Sequence, residues 1–278
     1  MTSSAVSDPA RLPSLEALKH QGHRGGRILL HRSIWNQRLP ATRLWGSVLL
    51  ALTLSGLMLS VRPWVSLMWS AEVGAWLAAL QLPLPTPLPP PEAFDGWVQW
   101  QLDLPVLGWR LPAPGPLALL LNVVALVAAW WGSGRFSDAF RPACYLLRLA
   151  CLIQGAAVLW FWWMPASFPH TVDEHYRSGL QQMWALLMLS PWLHLATYYL
   201  FPVTWWHRLA LTGMTWVYLL LLAPLQQSLH LAVLHHLGMV FMPLLYLLLG
   251  VMVPIVGLVA LYGWAMSWAN EHPDLSLD

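Results

Sequence analysis

Leu44-Trp-Gly-Ser-Val-Leu-Leu-Ala-Leu-Thr-Leu-Ser-Gly-Leu-Met-Leu-Ser-Val61 is a run of eighteen residues with no charged side chain, closed by Arg62-Pro63. An α-helix rises about 1.5 Å per residue, so about 20 apolar residues cross the roughly 30 Å hydrocarbon core of a bilayer. The run therefore reads as a transmembrane helix. Five comparable stretches follow at 117–131, 145–163, 183–200, 209–225 and 237–264. The 117–131 stretch is short and needs flanking residues to cross. The last is long, and Pro243 and Pro254 lie inside it, as Pro191 lies inside 183–200. A tilt or kink is expected there.

Composition agrees with this reading. Of 278 residues, 58% are hydrophobic and 9% are charged, against about 25% charged in an ordinary soluble domain. Too few charges remain to cover a soluble globule of this size. Trp occurs 20 times, against 7 Phe and 7 Tyr, and Trp favours the bilayer interface. The fold class expected is an all-α polytopic membrane protein with six transmembrane helices.

Lys and Arg set the orientation. Arg11, Lys19, Arg24, Arg27, Arg32, Arg38 and Arg43 precede the first span, and Arg135, Arg141, Arg148 and Arg208 fall on the same side. Arg62, Arg110 and Arg177 fall on the other. This bias places both termini in the cytoplasm, in a multi-pass protein of the cell (inner, or cytoplasmic) membrane. The order expected is a cytoplasmic basic arm (1–43), the first span (44–61), an external segment (62–116), a five-helix transmembrane region (117–266) and a cytoplasmic tail (267–278). In the arm, Ile28, Leu29, Leu30, Ile34, Trp35 and Leu39 interleave with Arg27, His31, Arg32 and Arg38. That pattern suits an amphipathic helix on anionic lipid headgroups. A basic arm beside a span is the usual topology signal, so no nucleic-acid partner is read from it.

The external segment has two parts. Residues 65–82 are apolar but contain Glu72, with Trp64, Trp69 and Trp76 around it. If they crossed, the Arg135–Arg148 group would face outward, so they read as an interfacial or re-entrant helix. Residues 83–116 hold ten prolines, which exclude a span. Part of 97–104 alternates as a strand does, and 108–111 follow after a turn, so a short strand pair is expected in this Pro/Trp-rich loop.

Familiar catalytic motifs are missing: there is no Walker loop, dinucleotide fingerprint, HExxH or GxSxG. Cys144 and Cys151 are seven residues apart in one apolar stretch, too far for a disulfide within a straight helix. Polar residues gather in two external connections instead. His170, Asp173, Glu174, His175 and Arg177 lie in one, and His230, His235 and His236 in the other. If the last three spans are neighbours, these residues converge. Imidazole with carboxylate suits acid–base chemistry or a metal such as Zn, Cu, Fe or Ni. Adjacent His235 and His236 point about 100° apart on a helix, which argues against a shared ion. Within the spans, only Asn122, Gln154 and His194 stand out, and the absence of acids there disfavours an ion-coupled transporter.

Two functions follow from these residues. One is a non-catalytic accessory or assembly component of a membrane complex, contacting a membrane-protein partner through its aromatic outer loop. The other is a membrane-embedded enzyme or carrier that uses the outward His/Asp/Glu cluster. Reporters fused after residue 278 or within 133–142 are expected to read cytoplasmic, and those within 92–110 or 166–178 external. A cytoplasmic signal from 92–110 would mean that 65–82 crosses the membrane.

Overall fold

The computed structural model describes residues 41–85, 102–200 and 204–268. The basic arm to residue 40, Trp97 and Trp100, and the tail from 269 lie outside the described residues. Seven helices carry the fold: α1 (Ala41–Ser60), α2 (Arg62–Ala79), α3 (Pro116–Ser133), α4 (Arg141–Trp163), α5 (Val172–Leu200), α6 (Trp205–Leu237) and α7. The last is continuous but changes type, from Met242–Leu244 through a π segment at Leu245–Met252 to Val253–Trp268. Among the described residues there is no strand. The strand pair expected near 97–111 is therefore absent from the part described, where 102–111 is irregular chain held by side chains of α5.

Four helical stretches are long and apolar enough to cross a membrane, or five if α1 and α2, bent by 57° at Val61, form one broken crossing. This is compatible with a helical membrane protein. α5 is not among the four: its first three turns carry Asp173, Glu174, His175, Arg177, Gln181 and Gln182, and its apolar part is diluted by Ser190, Pro191 and His194. It is nevertheless central, packing on α6 along one side and α1 along another. α2 lies on α6, α3 on α4, and α7 on α6. The segment read as an interfacial helix is thus a packed element: Val65, Trp69, Val73 and Leu77 of α2 are buried. α2 ends in a Schellman turn, with the Leu82 N–H on the Leu77 carbonyl and the Gln81 N–H on that of Ala78.

Three prolines inside these helices explain much of the packing. A helix-interior proline has no N–H, so the carbonyl one turn earlier loses its partner. In an apolar medium that carbonyl must be satisfied from elsewhere. Pro224 frees the carbonyl of Leu220, and the Trp69 indole of α2 donates to it at 3.0 Å. Pro191 frees that of Leu187, which accepts the Trp216 indole of α6 at 3.3 Å and the Ser190 hydroxyl at 2.9 Å. In the i to i+5 register of the π segment, Pro254 frees the carbonyl of Leu249, and the Gln226 amide of α6 donates to it at 2.8 Å. Each freed acceptor receives a side-chain donor, twice from a neighbouring helix through an indole and once through an amide.

Trp69 and Pro224 are therefore coupled. Trp69→Phe should destabilise the protein by about 1–2 kcal/mol, the worth of a buried hydrogen bond left half made. In a Pro224→Ala background the helix closes its own bond to Leu220, and the effect of Trp69→Phe should shrink markedly. Additive effects in a double-mutant cycle of thermal stability in detergent would show that the two are independent.

Candidate functional site

The polar stretches read as loops are helix ends. Thr171 and Glu174 form a capping box: the Glu174 carboxylate accepts the Thr171 N–H at 2.9 Å, and the Thr171 hydroxyl accepts the Glu174 N–H at 3.2 Å. This starts α5 at Val172, eleven residues before the apolar run at 183. Likewise Gln226 to His236 are the last turns of α6, which ends at Gly238 with φ +91°, a conformation suited to glycine. α5 and α6 run antiparallel, so the two polar ends pack side by side.

There the structure brings His175 and His230 together. His175 Nε2 and His230 Nδ1 are 3.3 Å apart and the rings 5.4 Å apart. Both are deeply buried, with 4% and 2% exposure. One ring donates to the other, and the tautomer decides which. His230 Nε2 is buried and has no hydrogen-bond partner among the described residues. Its Cε1 edge faces Gly250 in the π segment, and the Tyr246 ring of that segment lies 6.0 Å from His175. Burial pushes the His175 imidazole down to about 4, with His170 adding a smaller repulsion.

Three residues that sequence reading did not single out complete this junction. Gln226 and Gln227 lie four and three positions before His230, on one face of α6. The bond from the Gln226 amide nitrogen to Leu249 fixes its flip and leaves its oxygen buried without a partner. The Gln227 oxygen is also buried without a partner, and its amide fills the space where a Cβ on residue 179 would sit, so Gly179 is required there. The Tyr176 hydroxyl of α5 is the fourth such group. The spacing of Gln226, Gln227 and His230 was the available signal, visible once α6 is continued past its apolar run.

The other expected residues have different employment. Asp173 accepts the Leu107 N–H at 2.9 Å and pairs with Arg177 at 3.0 Å, and Arg177 reaches the Leu104 carbonyl at 3.4 Å. With the Leu102 N–H on Gln181 at 3.0 Å, they strap 102–107 onto α5. In the sequence Asp173 and Glu174 stand beside imidazoles, a pairing that suits acid–base chemistry. Asp173 instead serves this strap. Glu174 sits 3.9 Å from the exposed His170 as well as capping the helix. His235 and His236 are exposed, and His235 meets Trp109 edge-on at 5.5 Å. No three His, Cys, Asp or Glu groups come together to hold a metal ion among the described residues. Asn122 and Gln154 bond each other across α3 and α4 at 3.1 Å, and His194 meets Thr212 across α5 and α6 at 3.2 Å.

No known protein family matches the chain, and neither a curated protein nor a solved structure matches it.

The buried His175 yields a pH dependence. Its folded value lies below the ordinary 6.5, so the unfolded chain binds more protons between about pH 4 and 6.5. Its stabilising contribution is complete above 6.5 and is lost as pH falls towards 4. Thermal stability in detergent should fall between pH 7 and 5, and His175→Gln should flatten that fall. An unchanged slope would remove His175 from the account.

Proposed function

We propose that this chain is a six-crossing protein of the cytoplasmic membrane, with both termini inside, that binds a small molecule at the buried junction of α5, α6 and α7. It acts there as a membrane-embedded enzyme or carrier. α6 has 33 residues, about 50 Å of helix against a hydrocarbon core of about 30 Å. The excess falls at its polar end, which supports a depth near the headgroup level for His230. α5 counts as the sixth crossing through its apolar stretch at 183–200, where it packs on α6 and α1. Exposed Trp45, Trp205 and Trp206 mark one end of the bundle and exposed Trp162 and Trp163 the end of α4, as interfacial anchors do.

The observation that carries the binding reading is His230, buried beside His175 with Nε2 unpartnered. Buried polar groups are nearly always satisfied, so an unpartnered one calls for a partner such as a ligand or a water. The accessory or assembly reading is supported by a different feature. α3 packs chiefly on α4, and only 11% of its apolar window is buried, which leaves a face for lipid or for a membrane-protein partner.

Purification in mild detergent followed by native mass spectrometry separates the two. The wild type should carry a bound small molecule that His230→Ala lacks. A stoichiometric protein partner, with no small molecule on either form, would favour the accessory reading and sink the binding one.

A further inference from the structure

The α3–α4 hairpin carries an unbalanced charge at one end. Residues 116–163 hold three arginines, Arg135, Arg141 and Arg148, and one carboxylate, Asp138. Asp138 is taken by Arg141 at 2.8 Å. Arg135 and Arg148 pair with no carboxylate among the described residues. Each is instead mounted on an indole of the last turn of α3. The Arg135 guanidinium lies over Trp131, 4.5 Å from the ring centroid, and that of Arg148 lies over Trp130 at 5.5 Å. Both are within the range of cation–π attraction. The Arg148 Nε also donates to the Ser133 hydroxyl at 3.0 Å.

Depth and surroundings restrict what neutralises these cations. Arg148 stands well inside α4, about 10 Å along the axis from Arg141 and about 22 Å from the exposed Trp163 at the other end. With Trp163 at one interface, its backbone lies within a hydrocarbon layer of about 30 Å. The bond to Ser133 draws its head back to the end of α3, as a snorkelling side chain does. The Nη groups of both arginines remain as donors, the end of the fork that matches two oxygens of a phosphate. The approach to them is apolar. Leu120, Val124, Val127 and Trp131 are exposed and follow one another at three- and four-residue spacing on one face of α3. That stripe leads to Arg135, four positions beyond Trp131. A free phosphate would use the cations alone, whereas a phospholipid uses the cations and the stripe.

We infer that this end of the hairpin binds anionic phospholipid. Arg135 and Arg148 each hold a headgroup phosphate on an indole platform, and an acyl chain lies along the stripe on α3. Each cation has its own platform, so neither depends on the other for its phosphate. A zwitterionic headgroup brings its own ammonium and leaves the two surplus cations unneutralised, so the charge selects the anionic class. The Arg bias places this end in the cytoplasm, whose leaflet carries the anionic lipids. The surface is separate from the α5–α6–α7 junction and depends only on the chain lying in a membrane.

The test is native mass spectrometry of the full chain, delipidated in detergent and titrated with phosphatidylglycerol, phosphatidylcholine or sodium phosphate. Phosphatidylglycerol should be retained at lower concentration than phosphatidylcholine. Arg135→Gln and Arg148→Gln should each weaken its retention about fivefold, the worth of one cation at an anionic surface. Asp138→Asn, which releases Arg141, should strengthen it, and His230→Ala should leave it unchanged. Arg135 is exposed beyond the end of α3, so its variant tests the surface even where loss of Arg148 unfolds the hairpin. Equal retention of the two lipids would overturn the selection of anionic headgroups. Saturable binding of inorganic phosphate as tight as that of phosphatidylglycerol would make this a plain anion site and overturn the lipid. Stoichiometric retention of an acidic protein, lost in both arginine variants, would replace the lipid by a protein partner. A preference for phosphatidylglycerol that both arginine variants leave unaltered would overturn the assignment to these residues.

Discussion

The carbonyls that proline leaves unpaired are the constraint on which the packing of this bundle depends. In water, a freed carbonyl one turn before Pro191, Pro224 or Pro254 would be hydrated at little cost. In hydrocarbon it has no such recourse. The solution in this chain is to bring a donor from another side chain to each: Trp216 to Leu187, Trp69 to Leu220, Gln226 to Leu249. These bonds are directional, so they set rotation and height as well as contact. Together with His175–His230 and His194–Thr212 they hold α5 and α6 in one register, since 175 with 230 and 194 with 212 lie on a single antiparallel pairing. α1 docks on that pair through Ser55, which donates to the Met188 carbonyl at 3.2 Å and accepts from the Trp192 indole at 3.1 Å.

The apolar runs were legible in the sequence because charge exclusion is a strong signal over about 20 residues. Five of the six expected spans lie within an observed helix, apart from Val61 at the end of one; the sixth, 237–264, begins on the last residue of α6 and crosses the break at Gly238 before α7. What was not legible was where helices stop. Polarity is the ordinary mark of a loop, so by composition 170–182 and 226–236 read as connections. The capping box at Thr171 and Glu174 is a local signal that α5 begins there, and it was outweighed by composition. Similarly, in the Pro/Trp-rich loop the partial alternation in 97–104 suggests a strand paired with 108–111. In the described part of that loop, the backbone donors of Leu102 and Leu107 go to Gln181 and Asp173 instead of to a neighbouring strand.

The candidate site was legible to the same limited degree. Proximity of His175 to His230 follows from short connections between sequential helices. Which of the eight polar candidates become buried does not, because that depends on rotation about each helix axis. His235 and His236 sit five and six positions after His230, beyond the face that meets α5, and they end exposed. Asp173 lies two positions before His175 and so turns away from it, towards the chain at Leu107. The carboxylates therefore strap a loop in place, while the buried centre is built of imidazole, amide and phenol.

The junction and the proline constraint are the same piece of chemistry. Pro254 has no N–H, so in the wide π turn the carbonyl of Leu249 is open. Gln226 is the nearest donor on α6, and closing that bond fixes which end of its amide faces outward from the contact. The free end is the oxygen, buried and unpartnered, on a residue one turn before His230. An α-helical α7 with an ordinary residue at 254 would satisfy Leu249 internally, and Gln226 would be free to turn its nitrogen to the site. The acceptor character of the junction is thus set by a proline twenty-eight positions away in sequence, through one freed carbonyl and one amide.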